Sequence, residues 1–339
     1  MHKNILKIGI VGATGAVGRT LLELFVTHEV NTYIVCYASN KSAGKILSVK
    51  GKEFEIVSFS LEHAASCDVL FLCVSGSFSL KYGRTLAQSS YVIDNSSAFR
   101  YHEDVPLIVP PVNAHFFKGQ KFIANPNCSS AIALVVLSPL HQKYKIEHIV
   151  ISTYQAASGA GQQAIEEIKK VSKEFKDYDT SNYHGCFSHN LAFNAIPKVD
   201  NFQDNFYTKE EMKMVWEIRK VLEEPNLPID ATAVRIPTLR SHAESISLKF
   251  CRPVDSLNEI RTLLKQSPSV ELCDDIENNV YPMPSTSTYK HDVEVGRIRY
   301  SLVYGTYGIN LFISGDQLLR GAALNAYEIY RLVSDLNHS

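Results

Sequence analysis

The side chain best suited to covalent chemistry is Cys128, within residues 125–130, which read NPNCSS. An apolar stretch, residues 121–124, predicts a short strand before it, and residues 129–141 carry apolar side chains at helical spacing. A thiol at the first turn of a helix lies near the positive end of the helix dipole, which favours the reactive thiolate. The sequence therefore favours Cys128 as a nucleophile; a buried structural cysteine at a helix start is the ordinary alternative.

A second chemical pair, Arg235 and His242, is separated by seven positions. A strand ending at Arg235 and a loop carrying His242 would bring both side chains to one cleft. Arginine binds a carboxylate through two parallel hydrogen bonds, and histidine titrates in the range that proton transfer beside a thiol requires. Without Cys128, a surface ion pair and a loop histidine would be the better interpretations.

Three further segments carry side chains that could bind a small anionic substrate. Glu210 and Lys213 share one face of a predicted helix, as a surface ion pair or as partners for a substrate ammonium and a substrate anion. Arg100 follows the predicted strand 91–94, at the edge where open sheets bind ligands, and could meet phosphate. Gln155 ends another strand, before a loop of small residues at 156–161 that allows close approach of a ligand.

A glycine-rich turn, residues 12–18 reading GATGAVG, joins the first predicted strand to the first predicted helix. Glycines there allow the backbone to approach a pyrophosphate, which would rest on the helix N-terminus, so the turn predicts a dinucleotide site. The second strand is followed by residues 38–45, ASNKSAGK, which include cations and hydroxyls but no carboxylate. This suits the 2′-phosphate of NADP; a solvated polar loop is the alternative.

The elements that would position these residues fall into two regions. Strand and helix signals alternate up to about residue 128, which predicts a Rossmann-type, doubly wound parallel sheet. Longer strands at 147–157, 229–236, 244–251, 297–304 and 308–314, with helices at 162–175, 209–222 and 255–266, predict an α+β domain with a mostly antiparallel sheet. We assign residues 1–127, with the C-terminal helix 320–339, to nucleotide binding, and 128–319 to catalysis and dimerisation. Residues 178–188 and 279–289 are expected to be loops.

Composition excludes several functional classes. The 339 residues contain 34 basic and 35 acidic side chains, so nothing favours nucleic acid or an anionic membrane as a partner. The apolar stretch near the N-terminus is too short for a signal or membrane segment and predicts a strand instead. Seven cysteines without a CxxC pair argue against a disulfide framework or a zinc site, so we expect a reduced cytoplasmic protein without a metal.

Taken together, the motifs resemble those of the aspartate-β-semialdehyde dehydrogenase family over essentially the whole chain. The matching segments are 12–18, 42–45, 96–100, 125–129, 155, 158–161 and 210–213, with the spacing of 235 and 242. The resemblance implies that Cys128 is the nucleophile and His242 the acid/base. It also implies that Gln155 orients substrate and thioester, and that Asn127 lies near the oxyanion.

The same resemblance implies a substrate, a cofactor and a partner. Arg235 would bind the α-carboxylate, Glu210 the α-amino group, and Arg100 with Lys213 the phosphate of L-aspartyl-4-phosphate, which NADPH would reduce to L-aspartate-4-semialdehyde with release of inorganic phosphate. The step feeds lysine, methionine and threonine synthesis, and the family implies a homodimer or tetramer. The expected cofactor-binding residues are Gly12, Thr14, Gly15, Ala16, Val17, Ser39, Lys41, Ser42, Ser158, Gly159 and Gln317.

Three other functions remain compatible with the sequence. One is a related phosphorylating aldehyde dehydrogenase, such as N-acetyl-γ-glutamyl-phosphate reductase, whose N-acylated substrate has no use for Glu210. Another is phosphate-independent oxidation of the semialdehyde, which the two candidate phosphate cations disfavour. The third is a catalytically silent NADP-binding protein, which would need none of Cys128, His242 and Gln155.

Overall fold

The computed structural model describes residues 5–28, 30–174 and 183–336, which form two compact units. The first unit contains the described residues up to 127 together with those from 322 onward, and the second contains residues 128–321. Among the described residues, no helix is long and apolar enough to cross a membrane.

The first unit is built on a seven-stranded sheet in the order β3-β4-β2-β1-β5-β6-β7. All neighbouring strands are parallel except β3 and β4, so the predicted doubly wound sheet is confirmed. The strands are β1 (Leu6–Val11), β2 (Thr32–Ala38), β3 (Ile46–Val49), β4 (Lys52–Ser58), β5 (Val69–Leu72), β6 (Tyr91–Asp94) and β7 (Phe122–Ala124). The helices before the second unit are α1 (Ala16–Thr27), α2 (Leu61–Ala64), α3 (Gly76–Leu86) and α4 (Pro110–Asn113).

The hairpin formed by β3 and β4 was not anticipated from the sequence. Its turn consists of Lys50 and Gly51, with φ of 47° and 80°, which is the backbone that a two-residue hairpin turn requires. The common sequence signal for this turn is Asn-Gly or Asp-Gly, and lysine rarely adopts the left-handed backbone conformation. The hairpin could therefore not be recognised from the sequence. The hairpin adds an antiparallel edge beside β2.

The second unit is built on a six-stranded sheet in the order β11-β12-β13-β10-β8-β9. Three of its five pairings are antiparallel, as predicted, whereas β8 with β9 and β11 with β12 are parallel. The strands are β8 (Ile146–Gln155), β9 (Ile229–Arg235), β10 (His242–Phe250), β11 (Val270–Leu272), β12 (Val293–Ser301) and β13 (Gly305–Gly315). The helices are α5 (Cys128–Tyr144), α6 (Gln162–Glu174), α7 (Lys209–Val221), α8 (Leu257–Gln266) and α9 (Pro284–Ser287).

One face of the second sheet is an apolar core. From Glu244 to the end of β10 the buried side chains recur at every second position, and Ile246, Leu248 and Phe250 are all at most 1% exposed. Because strand side chains alternate between faces, these residues point to one side of the sheet. The long helix α5 contributes an almost wholly buried surface to the same core, which explains why its sequence is apolar on all sides.

Several predicted boundaries differ from the structure. The final helix was predicted from residue 320, but a π turn at Leu319–Ala323 precedes α10 (Leu324–Leu336), which belongs to the first unit. His242 was expected in a loop, yet it is the first residue of β10, because the strand begins two residues earlier than its apolar alternation suggests. The expected loop 279–289 contains the short helix α9. Residues 178–182 of the other expected loop, and residue 175 of a predicted helix, lie outside the described part of the chain.

Candidate active site

Cys128 is the half-buried first residue of α5, so its thiol lies at the positive end of a 17-residue helix. Gly321 packs directly against it. A methyl group built on Gly321 would lie 2.7 Å from the Cβ of Cys128 and 3.0 Å from its Cα. The π turn that carries Gly321 is closed by its N–H donating to the carbonyl of Asp316 at 3.2 Å. A residue other than glycine at 321 would therefore displace Cys128.

Gln155, the last residue of β8, is buried and anchored by its amide nitrogen. Nε2 lies 3.2 Å from each of three acceptors, the Oγ of Ser129, the Oγ1 of Thr153 and the Oε1 of Glu210. A carboxylate oxygen can only accept, so the contact with Glu210 fixes which end of the amide carries the hydrogens. The network links β8 to α5 one residue after the nucleophile, and to α7.

Glu210 and Lys213 form a partly buried ion pair on the first turn of α7. The Oε2 of Glu210 accepts from the Nζ of Lys213 at 2.9 Å, and Lys213 also bonds the Oδ2 of Asp200 at 2.9 Å. A capping box between Thr208 and Glu211 fixes where the helix begins. The sequence suggested either a surface pair or a substrate pair; the structure shows an ion pair that also bonds the buried Gln155.

Arg235, the last residue of β9, is a buried cation: its side chain has no carboxylate within 4.0 Å in the part of the chain that the structure describes. One guanidinium nitrogen donates to the carbonyl of Ala156 at 2.7 Å. Burial lowers the pKa of Arg235, while the negative charges of Glu210 and Cys128 oppose that change. A desolvated guanidinium close enough to interact with Cys128 is suited to binding an anionic group.

His242 is fully buried, and its two ring nitrogens have different surroundings. The N–H of Ala156 donates to Nδ1 at 3.1 Å, whereas Nε2 has no hydrogen-bond partner among the described residues. Burial, and then the positive charge of Arg235, lower the pKa of His242 to about 3, although Glu210 and the backbone of Ser241 act in the opposite direction. The ring is therefore neutral near pH 7.

The loop between β8 and α6 brings the backbone close to both of these side chains. A methyl group built on Gly159 would lie 2.7 Å from the guanidinium of Arg235 and 3.3 Å from the Nε2 of His242. The neighbouring Ser158 Oγ accepts from the Nε2 of Gln317, and the Oε1 of Gln317 accepts from the N–H of Ser241 at 2.7 Å. Three of the predicted cofactor residues thus meet in the second unit, beside the reactive groups.

The predicted dinucleotide turn lies in the first unit, between β1 and α1. Gly12 has φ of 88°, and a methyl group there would lie 2.2 Å from the carbonyl oxygen of Cys73, so only glycine fits. Gly15 is the N-cap of α1, without a side-chain cap, and the first turn, which includes Ala16 and Val17, contains no acidic residue. The first-turn N–H groups are therefore suited to an anion, as the pyrophosphate of a dinucleotide requires.

The loop after β2 carries the residues predicted to distinguish NADP from NAD. Ser39 and Lys41 are exposed and Ser42 is half-buried, and the N–H of Ser42 donates to the carbonyl of Ser39 at 2.9 Å. The strand β2 ends at Ala38. The carbonyl of Tyr37 accepts from the N–H of Gly12, and this bond places the end of the strand next to the glycine turn. A cation and two hydroxyls therefore follow the strand that lies beside the predicted pyrophosphate site.

Arg100 and Asn127 belong to the first unit. The guanidinium of Arg100 donates to the carbonyls of Asn125 and Asn95, each at 2.8 Å, and is 6% exposed. Asn125 itself bonds Asn95 and accepts from Asn325 on α10 at 2.7 Å. Asn125 thus has a structural role within the motif of residues 125–130: it joins β7, the loop after β6 and the last helix. Asn127 is buried and directly precedes the nucleophile in the chain.

Within the described residues, one group has ligand types that could hold a metal: Glu271, Cys273 and Glu294. The Nζ of Lys290 bonds both carboxylates, at 2.8 Å in each case. The single positive charge of Lys290 therefore balances one of the two carboxylates, and the residues of this cluster are separate from the groups described above.

The structure thus gathers Cys128, Gln155, Glu210, Lys213, Arg235 and His242 within the second unit. Three residues of this site were missed. Ser129 and Thr153 hold the amide of Gln155, and Gly321 packs on Cys128. Hydroxyl residues carry no distinctive pattern, and the glycine at 321 could have been noticed only as a break in an otherwise helical segment.

Two regions of the chain match described protein families. Residues 7–120 match the family described as semialdehyde dehydrogenase, NAD binding domain, and residues 137–320 match semialdehyde dehydrogenase, dimerisation domain. The aspartate-semialdehyde dehydrogenase of Aquifex aeolicus (strain VF5) is 40% identical over 333 residues, covering 96% of this chain and 97% of that protein. That of Bacillus subtilis (strain 168) is 38% identical over 342 residues, covering 98% of each.

Solved structures resemble the chain over nearly its full length. The crystal structure of aspartate semialdehyde dehydrogenase II of Vibrio cholerae, complexed with ASA, has a TM-score of 0.90 and 34% identity, and the match covers 98% of this chain and 99% of that one. The aspartate semialdehyde dehydrogenase of Candida albicans with NADP shares the fold at a TM-score of 0.76 and 23% identity, over 98% and 99% of the two chains.

Proposed function

Because this chain belongs to the aspartate-semialdehyde dehydrogenase family, we propose that it reduces L-aspartyl-4-phosphate to L-aspartate-4-semialdehyde through a thioester on Cys128. Membership makes the chain an oxidoreductase of amino-acid biosynthesis that uses a nicotinamide cofactor. The observation that carries the detailed proposal is the buried Arg235, which is free of any carboxylate within 4.0 Å in the described chain and interacts with Cys128. The product feeds lysine, methionine and threonine synthesis.

The reaction begins at the thiol of Cys128. Its thiolate attacks the acyl carbon of the substrate, the bond from that carbon to the phosphate oxygen breaks, and phosphate leaves and takes up a proton. The product of this step is a thioester, and two easier steps thus replace one difficult step. The helix dipole of α5 and the guanidinium of Arg235 both favour the thiolate, since each places positive charge near the sulfur.

The substrate is held through its charged groups. Arg235 binds the α-carboxylate, and Glu210 binds the α-ammonium while still paired with Lys213. Lys213, together with Arg100 of the first unit, binds the phosphate. A substrate whose amino group is acylated has no cation to offer Glu210, so the free amine is the preferred substrate.

His242 acts as a neutral hydrogen-bond donor in this scheme. The N–H of Ala156 can only donate, so Nδ1 keeps a lone pair and the single ring hydrogen resides on Nε2. A flipped ring would present carbon to that N–H, so the network assigns the orientation. The groups that set the ring's charge are Arg235 on β9, Glu210 on α7 and the Ser241 backbone.

A donor suffices at the step that forms the aldehyde. When bound, the nicotinamide supplies the hydride that reduces the thioester. The resulting tetrahedral oxyanion collapses by expelling the thiolate of Cys128, so no proton has to reach the oxygen. Nε2–H of His242, the side chain of Asn127 and the backbone N–H of Cys128 stabilise the developing charge. The acid/base role that the resemblance implies thus becomes hydrogen-bond donation in the reductive direction.

NADP is the proposed nicotinamide cofactor. Gly12, Thr14 and Gly15, with the first turn of α1, bind the pyrophosphate, and Ser39, Lys41 and Ser42 bind the 2′-phosphate. The absence of a carboxylate from residues 38–45 supports NADP, because a carboxylate there would repel the phosphate. Ser158, Gly159 and Gln317 lie beside the reacting groups and bind the nicotinamide end.

A cytoplasmic homodimer is the proposed form of the enzyme. The matched dimerisation domain supports oligomerisation. The face of the second sheet opposite its helices carries a stacked Tyr154–Phe312 pair and the exposed Val150, which is 42% exposed. Light scattering on the purified protein gives the number of subunits; a mass of one chain would contradict the proposal.

The decisive test is phosphate-dependent reduction of NADP by L-aspartate-4-semialdehyde, followed through NADPH absorbance. We expect a rate that requires phosphate and the free amine, and that falls steeply when NAD replaces NADP. The Arg235→Gln variant should raise the KM for the semialdehyde while its affinity for NADP stays unchanged. Activity only with N-acetyl-glutamate semialdehyde would favour the related reductase. Activity without phosphate would contradict the proposed phosphate-binding roles of Arg100 and Lys213. NADP binding without any activity would favour a catalytically silent binding protein.

A further inference from the structure

Glu244 lies on β10 two residues after His242, and the chemistry proposed above does not use it. Its side chain is 0% exposed, and neither carboxyl oxygen has a hydrogen-bond partner among the described residues. An ionised carboxylate in such a place would lose its hydration without any compensating contact, which costs far more free energy than holding a proton. Consistently, burial raises the pKa of Glu244 well above its ordinary value.

The strand register places this carboxyl in the layer beneath the reactive side chains. Gln155 and Arg235 are paired neighbours at the ends of β8 and β9, and residues two positions earlier on these strands point to the same face. Glu244 pairs with Thr153 on one side and Ile313 on the other. The resulting row of neighbours across the sheet consists of Ala233, Thr153, Glu244, Ile313 and Val295.

Thr153 connects that row to the site. Its Oγ1 accepts from the Nε2 of Gln155 at 3.2 Å, so its hydroxyl hydrogen must point elsewhere, and no acceptor for it lies within hydrogen-bond distance in the described chain. Glu244 is the cross-strand neighbour of Thr153, and side chains in such pairs have Cβ atoms about 4.5–5.5 Å apart. The hydroxyl of Thr153, which lacks an acceptor, and the carboxyl of Glu244, which lacks any partner, are thus adjacent. A buried water is the usual bridge between such groups.

We propose that Glu244 is held as a neutral carboxyl group that receives the Thr153 hydroxyl hydrogen through a buried water and so fixes the amide of Gln155. Glu244 is then a positioning residue, because it reaches the substrate only through Thr153 and Gln155. That last link rests on the proposed function, whereas the protonation state and the coupling to Thr153 do not.

Other titratable groups lie on the same face of the sheet as Glu244 and on the helices packed against that face. None of them is bonded to the carboxyl, and burial is the cause of its raised pKa. They are His242 on β10, Arg235 on β9, Cys128 on α5, Glu210, Glu211, Lys213 and Glu217 on α7, and Glu259 and Arg261 on α8.

Thermal unfolding against pH tests the neutral state, with Glu244→Gln as the variant that keeps the shape without a titrating proton. A raised native pKa contributes stability that is complete below the unfolded value of about 4.3 and is lost as the pH rises above it. The variant lacks that loss, so its melting temperature should gain on the native protein progressively between pH 5 and pH 8. A difference that stays constant, or that moves in favour of the native protein, would overturn the neutral carboxyl.

Turnover tests the positioning role. Glu244→Leu, which removes the hydrogen bond, should lower kcat about tenfold or more, because a shift of Gln155 misplaces the substrate, while the KM for NADP stays unchanged. Glu244→Gln should retain kcat within about threefold. Ile246→Val, a buried change on the same face, is the matched control and should alter stability without altering kcat.

The coupling is tested by the pair Glu244→Leu and Thr153→Val. If one chain of bonds connects them, the double variant is no slower and no less stable than Glu244→Leu alone. If the two substitutions lower kcat independently, so that their effects multiply in the double variant, the water bridge between Thr153 and Glu244 would be overturned. If Glu244→Gln lowers kcat as much as Glu244→Leu does, the neutral state of Glu244 would be overturned. If the native protein fails to oxidise the semialdehyde, the proposed function fails, whereas the melting curves of the same variants still decide protonation and coupling.

Discussion

The predicted site of the first unit is made mainly of backbone, whereas that of the second unit is made of side chains. The predicted dinucleotide turn of the first unit consists of backbone: Gly12 has φ of 88°, Gly15 is the N-cap of α1, and no side-chain cap or acidic residue occupies the first turn of the helix. The site of the second unit consists of side chains from five elements, namely α5, β8, α7, β9 and β10, and most of them are buried and bonded to one another.

This difference teaches how each site should respond to substitution. A backbone site within one turn tolerates changes in the surrounding side chains, because the N–H groups remain in place. A buried network of side chains does not, since removing one partner leaves another polar group unpaired in a medium where that is costly. Substitutions of the side chains around the dinucleotide turn should therefore produce small, graded effects, whereas substitutions in the buried network of the second unit should produce large losses.

The largest expected effect is a loss of turnover in the second unit that leaves cofactor binding unchanged. Cys128→Ser should lower kcat by about 10⁴-fold or more, because the hydroxyl is a much weaker nucleophile than the thiolate. NADPH binding, measured by fluorescence titration, should stay normal. Cys251→Ser, at an exposed cysteine, is the matched control and should retain full activity. Substantial turnover by Cys128→Ser would refute the covalent scheme.

His242→Ala tests the account of the second unit, because alanine has no side-chain donor, whereas the amide of glutamine could replace Nε2–H. Loss of the Nε2–H donor should lower kcat by about 10²–10³-fold, as removal of an oxyanion donor does in other enzymes. Because the native ring stays neutral down to a pKa of about 3, the pH profile in the reductive direction should keep its shape and only move down. If an acidic limb of the native profile disappears in the variant, His242 titrates and the donor role is wrong.

The pKa of His242 also predicts an effect on stability. A depressed native pKa contributes stability that is complete above the unfolded value of about 6.5 and is lost as the pH falls towards 3. His242→Gln should therefore show a shallower loss of melting temperature between pH 6.5 and pH 4 than the native protein. Parallel curves would contradict the buried neutral ring.

Gly321→Ala tests whether packing against the nucleophile matters as much as bonding does. The added methyl would lie 2.7 Å from the Cβ of Cys128, so either the π turn or the first turn of α5 must shift by several tenths of an ångström. We expect kcat to fall about tenfold and the rate of thiol alkylation by iodoacetamide to change, with NADP affinity unaffected. Unaltered alkylation and turnover would show that this contact is not needed.

The smallest effect is expected in the first unit. Lys41→Ala removes one exposed cation from the loop after β2, and exposed charge pairs contribute little, so the KM for NADP should rise only about three- to tenfold. The change should shrink at high salt, and the KM for NAD should not move. Lys52→Ala, at an exposed lysine on β4, is the control. A loss as large as that of a buried residue would contradict the contrast between the units.

The contrast also explains what the sequence could reveal. The glycine turn between β1 and α1, the cysteine at a helix start and the parallel sheet could be predicted because each is a local pattern. The β3–β4 hairpin was missed because its turn uses Lys50 in an unusual backbone conformation. The partners Ser129, Thr153 and Gly321 could not be predicted, since their roles arise from contacts between segments that are distant in the chain.

The contact between Cys128 and Gly321 brings the two ends of the second unit together. These are the first and last residues of the second unit, so a stretch of 194 residues leaves and returns at a single point. Such a segment has the form of an inserted domain, whose ends already meet. It could be exchanged as a unit between relatives, and each junction would lie at Cys128, the proposed nucleophile. Transplantation would thus succeed only where the new host presents residue 127 and residue 322 in the same positions.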